Sequence, residues 1–267
     1  MSVAELVAPH IPSLRRFSRA MHGTQSIGDR HVADCLRAMV EEPPGYDYGE
    51  EAPVALFRHY LSRTTAQCRG DEGGGRTAER AGTRLSRHAR NAFLLTALER
   101  FSISQTASIL NVDAVAVEAY LAEANTHIES QAGTTVLIIE DEPLIAMDIE
   151  SMVERFGHEV VGVARTRREA VMLARKMGPG LVLADVQLAD GSSGIDAVDD
   201  IRTSLDVPAI FLTAFPQRLL TGDGQEPAFL ITKPFNPDAL AAMLSQVIFF
   251  RDLARSGSCT QSAAHVG

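Results

Sequence analysis

Asp185 ends the apolar run Leu181-Val182-Leu183-Ala184, a pattern that reads as a short buried strand. A carboxylate at that place is costly unless charge meets it. Three other apolar runs end in groups suited to the task. Val136-Leu137-Ile138-Ile139 leads into Glu140-Asp141-Glu142, Ala209-Ile210-Phe211-Leu212 into Thr213, and Phe229-Leu230-Ile231-Thr232 into Lys233-Pro234. In an open parallel sheet the C-terminal strand ends converge on one crevice, where ligands bind. Asp141 and Asp185 can offer oxygens to Mg2+, a hard cation that favours carboxylates and keeps several waters. Glu140 can act directly or through one of those waters, and the backbone carbonyl of Gln187 is a further candidate ligand. Such an ion would neutralise the acids and draw phosphoryl oxygens towards Asp185. Lys233 can pair with Asp185 or with the new phosphate, and Thr213 can donate a hydrogen bond to it. Taken singly, these residues have plainer roles as helix caps or solvated charges. Their joint arrival at one sheet edge favours a phosphoryl group carried on an aspartate and read out as a switch.

The elements that must position them follow from the apolar pattern. Strands are predicted at 135–139, 160–164, 181–184, 208–212 and 228–232. Helices are predicted at 143–155, 167–177, 195–204, briefly near 216–220, and at 237–253. The strands show little alternation, as expected when helices cover both faces of a parallel sheet, and the intervals suit right-handed crossovers. Residues 134–255 therefore read as a five-stranded parallel α/β domain, and 256–267 as a flexible tail. Residues 1–130 read as an all-α domain of two lobes, 3–64 and 79–128. The irregular stretch Cys68-Arg69-Gly70-Asp71-Glu72-Gly73-Gly74-Gly75 interrupts that domain. In the second lobe a helix across Ala92–Ser102 precedes a short helix capped by Ser104, a turn, and a helix at 114–127 capped by Asp113. That order is a helix-turn-helix, with Ala107, Leu110, Val112, Val117 and Leu121 as its core.

Charge limits what this lobe can bind. The chain of 267 residues has a formal net charge of −9. Residues 1–130 hold 14 Arg, no Lys and 16 Asp+Glu, a net of −2, and residues 131–267 come to −7. The helix after the turn has no Arg or Lys but does have Glu118 and Glu123, whereas DNA readers anchor on phosphates and bases with basic side chains. Val117, Glu118 and Leu121 are therefore assigned to a protein partner and no DNA is expected. A DNA-binding transcription regulator is the alternative, and it would need a stripe made by Arg80, Arg84, Arg87 and Arg90. Cys35, Cys68 and Cys259 make neither a metal pattern nor a disulfide framework. No run resembles a signal peptide or a membrane span, so a cytoplasmic location is expected, with no membrane partner.

The second half resembles the receiver domain of two-component response regulators. The resemblance rests on Leu137-Ile138-Ile139-Glu140-Asp141-Glu142, Leu183-Ala184-Asp185, Leu212-Thr213-Ala214 and Thr232-Lys233-Pro234-Phe235. It implies Asp185 as phosphoacceptor from a sensor histidine kinase or phosphotransfer protein, and Glu140 and Asp141 as the acidic pair for Mg2+. It also implies Thr213 as the switch hydroxyl and Lys233 as the phosphate-facing amine. Leu230 stands where receivers usually place an aromatic. The first half is similar to the two helical regions of an extracytoplasmic-function sigma factor. The order, sigma-like then receiver, together with Phe211–Gly222 ahead of Phe229–Phe235, resembles the PhyR-type general stress response regulators of alphaproteobacteria. That resemblance implies a non-enzymatic partner switch. Unphosphorylated, the receiver would hold the sigma-like lobes. Phosphorylation of Asp185 would let them sequester an anti-sigma factor of the NepR type, which releases the stress sigma factor. One departure is Arg100, between Glu99 and Phe101, where the family tends to have glycine.

Overall fold

Two hydrophobic periods give two units. In a computed structural model, residues 3–41, 51–70, 85–188 and 190–262 are described. The helical unit comprises 1–130 together with Leu220–Glu226, and the α/β unit comprises 131–219 and 227–267.

The helical unit begins with α1 (Val3–Val7), α2 (Ile11–His22), α3 (Gln25–Glu41) and α4 (Ala52–Gly70). Leu14, Phe17 and Met21 recur at helical spacing on α2 and are buried with Val32, Cys35 and Met39 of α3 and Leu56, Phe57 and Tyr60 of α4. Phe17 meets Phe57 edge-on at 5.3 Å between ring centroids, a geometry that aromatic quadrupoles favour. The buried Ser18 and Tyr60 hydroxyls are matched in this core. The Ser18 hydroxyl donates to the Gly28 carbonyl at 2.8 Å and lies 2.6 Å from the Tyr60 hydroxyl.

The second lobe has α5 (Arg87–Phe93), which continues as a π turn at Leu94–Leu98, then α6 (Ile103–Leu110) and α7 (Ala114–Ser130). The first helix runs from Arg87 to Leu98 and not across Ala92–Ser102, and two further details differ from the sequence reading. The N-cap of α6 is Ser102, not Ser104. Ser102 and Gln105 exchange hydrogen bonds in a capping box, which satisfies two amide donors at once. Val117 is fully buried, so it packs the lobe and does not face a partner. Glu118 is exposed and Leu121 half-buried on the same helix. Asp113 caps α7 through a 2.7 Å bond from the Ala116 amide. Of the arginine stripe, Arg80 and Arg84 lie outside the described residues, and Arg87 and Arg90 lie on α5.

The two lobes are joined by Arg16, whose guanidinium donates to both Glu99 carboxylate oxygens at 3.0 and 2.6 Å and to the Leu98 carbonyl at 3.3 Å. Phe57 also stacks edge-on with Phe101 at 5.0 Å. Between these two contacts Arg100 adopts a φ of +61°, a left-handed conformation that a Cβ disfavours. Arg100→Gly should therefore leave the fold intact and raise stability by about 1 kcal/mol, the cost of holding a side chain in that region less the extra freedom of glycine in the unfolded chain. Urea unfolding of the two proteins would read this directly, and a lower midpoint for the variant would contradict it.

The α/β unit alternates β1 (Thr135–Ile139), α8 (Pro143–Arg155), β2 (Glu159–Ala164), α9 (Arg167–Met177), β3 (Leu181–Asp185), α10 (Gly194–Arg202), β4 (Ala209–Thr213), β5 (Leu230–Thr232) and α11 (Pro237–Ser262). The sheet order is β2-β1-β3-β4-β5 and every pairing is parallel. Chain order reverses between β1 and β3, the switch point at which such sheets open a crevice. Strand β3 is buried along its whole length, as is β4. Most elements agree with the sequence reading to within two residues, and three are singled out by a larger or more telling difference. Residues 216–220 form only a 3-10 turn at Pro216–Arg218, because the chain passes into the helical unit from Leu220. Strand β5 starts at Leu230, although the Phe229 carbonyl already accepts from the Phe211 amide. Helix α11 runs on to Ser262, through most of the expected tail.

Candidate functional site

Register alone assembles the site. Ile139 pairs with Ala184, so the next residues, Glu140 and Asp185, lie side by side at the ends of β1 and β3. Asp185 pairs with Leu212, and Thr213 with Thr232, which places Thr213 and Lys233 one step further across the same edge. The Lys233 ammonium donates to Glu140 Oε2 at 2.8 Å and to Asp185 Oδ2 at 2.7 Å. The Lys233–Pro234 peptide bond is cis. Asp185 Oδ1 accepts from the Gln187 amide at 3.1 Å, and Glu140 Oε1 from the Glu142 amide at 3.3 Å.

Glu140 is wholly buried. Burial raises its carboxyl pKa, against the lowering pull of the Lys233 ammonium. Burial also works to lower the Lys233 pKa, but the hydrogen bonds it donates to Asp185 and Glu140 outweigh that and raise it, which holds the ammonium charged. One carboxylate oxygen from each of Glu140, Asp141 and Asp185 lies within 4.8 Å of the other two. Three carboxylates against one ammonium leave two negative charges in a small volume, and that donor set suits a hard divalent cation such as Mg2+.

The loop after β3 is shaped around this cluster. An antiparallel bridge couples Gln187 to Ser193, closed by Leu188 N–H to the Ser192 carbonyl and Gly194 N–H to the Val186 carbonyl. The Gln187 carbonyl takes no part in those two bonds. Ser193 caps α10 by accepting from the Ile195 amide at 3.1 Å. The residue that the sequence reading missed is Gly194. A Cβ on it would run into the Asp185 carbonyl oxygen. Gly194→Ala is therefore expected to cost about 2 kcal/mol, in the range of overpacking a tight site. Thermal unfolding would measure it, and a wild-type value would refute the steric reading.

Thr213 is buried and its hydroxyl oxygen accepts from the Phe215 amide at 3.1 Å. Its own hydrogen is then available to donate. Its carbonyl accepts from the Lys233 amide at 2.7 Å. Leu230 is buried where receivers usually hold an aromatic. Phe229 points into the packing under α11, 6.2 Å from the Phe250 ring. The nearby exposed aromatic is Phe215, with the Arg218 guanidinium 4.7 Å from its ring centre.

Family models match residues 7–61 as the "Sigma2 domain of PhyR", 83–131 as "Response regulator PhyR, sigma-like domain" and 136–245 as "Response regulator receiver domain". The phyllosphere-induced regulator PhyR of Methylorubrum extorquens is 46% identical over 260 residues, which is 96% of this chain and 97% of that one. The chain belongs to the PhyR family. The crystal structure of the response regulator PhyR from Brucella abortus superposes with a TM-score of 0.84 at 45% identity, covering 99% of each chain. That of the anti-anti-sigma factor PhyR from Bartonella quintana gives 0.85 at 44% identity, covering 96% of this chain and all of that one. The helical unit is thus the sigma-like region of a PhyR-family protein and the α/β unit its receiver domain. Among the described residues, no helix is long and apolar enough to cross a membrane.

Proposed function

We propose that this chain is a phosphorylation-activated anti-anti-sigma factor, in which a phosphoryl group on Asp185 makes the sigma-like unit available to an anti-sigma factor of the NepR type. The observation that supports it most is the Lys233 ammonium held between Glu140 and Asp185, in a chain whose other unit is sigma-like. An Asp185 carboxylate oxygen attacks the phosphorus of a phosphohistidine on a kinase or phosphotransfer protein. The P–N bond breaks and the imidazole leaves with its electron pair. Glu140, Asp141, Asp185 and the Gln187 carbonyl would hold Mg2+, which when bound supplies positive charge to offset carboxylates and phosphoryl group together. Lys233 then transfers from Asp185 to a phosphoryl oxygen, and Thr213 gives it the hydrogen bond that its hydroxyl has free.

Thr213 and Lys233 bracket the segment 214–232, and that segment carries the signal. Within it, Leu220–Glu226 belongs to the helical unit. The Leu220 carbonyl accepts from Arg15 at 3.0 Å, the Glu226 carboxylate from Arg19 at 2.6 Å, and the Gly224 carbonyl from Gln25 at 2.9 Å. Moving Thr213 and Lys233 towards a phosphate pulls on both ends of the segment and loosens these bonds. The freed helical unit binds its partner in the cytoplasm through a surface that includes Glu118 and Leu121, and the stress sigma factor held by that partner is released. The rival reading, a DNA-binding regulator, is disfavoured by α7, which carries Glu118, Glu123 and Glu129 and no Arg or Lys.

The test is capture of purified NepR-type protein with and without a small phosphodonor and Mg2+. Donor-dependent capture is expected, with no shift of promoter DNA. Equal capture in both conditions, or a DNA complex that the anti-sigma factor does not displace, would reject the proposal.

A further inference from the structure

Helix α9 carries an unexplained cost. Its N-terminal turn begins Arg167-Arg168, where the helix dipole disfavours cations. Arg167 is compensated, since it donates to both Asp200 carboxylate oxygens at 2.6 and 2.9 Å. Arg168 is exposed and makes no ion pair among the described residues, and the same holds for Arg175 and Lys176 in the last turn. The last two cations suit the C-terminal end of the dipole; Arg168 does not. Residues 168, 172 and 175 follow helical spacing on one face. The middle one, Met172, is 61% exposed. These side chains, with Arg167, Val171, Lys176 and the acids Asp190 and Asp200, line an open groove of about 920 Å³. Cations at both ends of a bare methionine thus stand in a half of the chain, residues 131–267, with a net charge of −7.

We propose that this groove docks an extended acidic segment of a partner protein, with carboxylates on Arg168 and on Arg175 and Lys176, and one apolar side chain over Met172. The stretch from 168 to 176 spans about 12 Å of helix, the length of about four residues of extended chain. A short peptide with acids flanking one large aliphatic residue therefore fits. The open shape favours a chain laid along the surface over an enclosed small anion. The phosphate polymer of a nucleic acid would gain from the cations but not from the methionine, and the acidic surroundings would repel it. This docking does not depend on the phosphoacceptor chemistry.

The probe is a fluorescent eight-residue peptide with four glutamates flanking a central leucine, titrated by anisotropy against the full chain at two salt concentrations. Controls are the same peptide with leucine replaced by glycine, inorganic polyphosphate, and a DNA duplex. Saturable binding weakened by salt is expected, with at least a tenfold loss in Arg168→Glu/Arg175→Glu/Lys176→Glu and a smaller loss for Met172→Ser or for the glycine peptide. The single variant Arg168→Glu should bind less while its melting temperature holds or rises, because an acid there suits the dipole, and this separates a lost contact from a damaged fold. No binding, equal binding by the triple variant, or tighter charge-dependent binding of DNA or polyphosphate than of the peptide would overturn the proposal.

Discussion

Asp185→Asn will abolish phosphoryl uptake and with it donor-dependent capture of the anti-sigma factor, leaving less than about a hundredth of the wild-type phosphorylation rate. An amide has no anionic oxygen to attack phosphorus, and Glu140, one of the two carboxylates left in the cluster, is buried and held by Lys233. The variant should nevertheless fold. Asp185 shares its pocket with Glu140 and Asp141, so removing its charge relieves repulsion between like charges while it weakens one bond from Lys233. These effects oppose each other, and the melting temperature should stay within the span of about 1 kcal/mol that an uncharged, isosteric change allows. Phosphoryl transfer from a labelled donor, followed by anti-sigma pull-down, reads the chemistry and the output in turn. If the Asn variant still gains affinity for the anti-sigma factor when donor and Mg2+ are added, Asp185 is not the phosphoacceptor.

The acids were legible because their cost was legible. An apolar run that ends in Asp185 announces a carboxylate at a buried place, and four such runs announce a shared edge. The helices α8 and α9 matched the sequence pattern at both ends because Pro143 starts one and Gly178, with φ of +59°, stops the other. What stayed hidden depends on distance in space. Gly194 matters through the steric demand of a carbonyl nine residues away, and nothing in Ser193-Gly194 alone distinguishes that from an ordinary loop. Ser102 was readable, since Ser102-x-x-Gln105 is a capping box in sequence, yet Ser104 offers the same hydroxyl two residues on. Val117 sat on an apolar helix with several candidate faces, and only the packing of α5 against α7 decided which face was inside. Arg19 and Glu226, 207 residues apart, look like two surface charges until the fold makes them neighbours.

That pair gives the largest change in output. Glu226→Ala will allow capture of the anti-sigma factor without any phosphodonor. Arg19 is fully buried and its guanidinium is shared between Asp29, at 2.8 and 2.7 Å, and Glu226 at 2.6 Å. The Glu226 carboxylate also shapes its own turn, accepting from the Thr221 amide and hydroxyl at 2.9 and 2.6 Å and from the Gly222 amide at 2.8 Å. Burial pushes this carboxyl up, but the bonds from Thr221 and Arg19 outweigh it and hold it below the usual range. Truncation removes all of them. Breaking a buried charge pair outright costs about 3–5 kcal/mol; here Asp29 still neutralises Arg19, so about 2 kcal/mol is the expected loss. In a two-state equilibrium that is about a 30-fold shift towards the partner-binding form, which appears as a 30-fold tighter apparent Kd in the absence of donor. Glu226→Gln can still accept from Thr221 and Gly222 and should fall between. Gly222→Ala tests the same segment by another route, since a Cβ there would strike the Arg15 guanidinium and should also raise basal capture. Calorimetric titration of anti-sigma factor into each unphosphorylated variant would decide the matter. Unchanged basal affinity in both Glu226→Ala and Gly222→Ala would mean that Leu220–Glu226 does not carry the signal, while the phosphoacceptor chemistry of Asp185 would stand untouched.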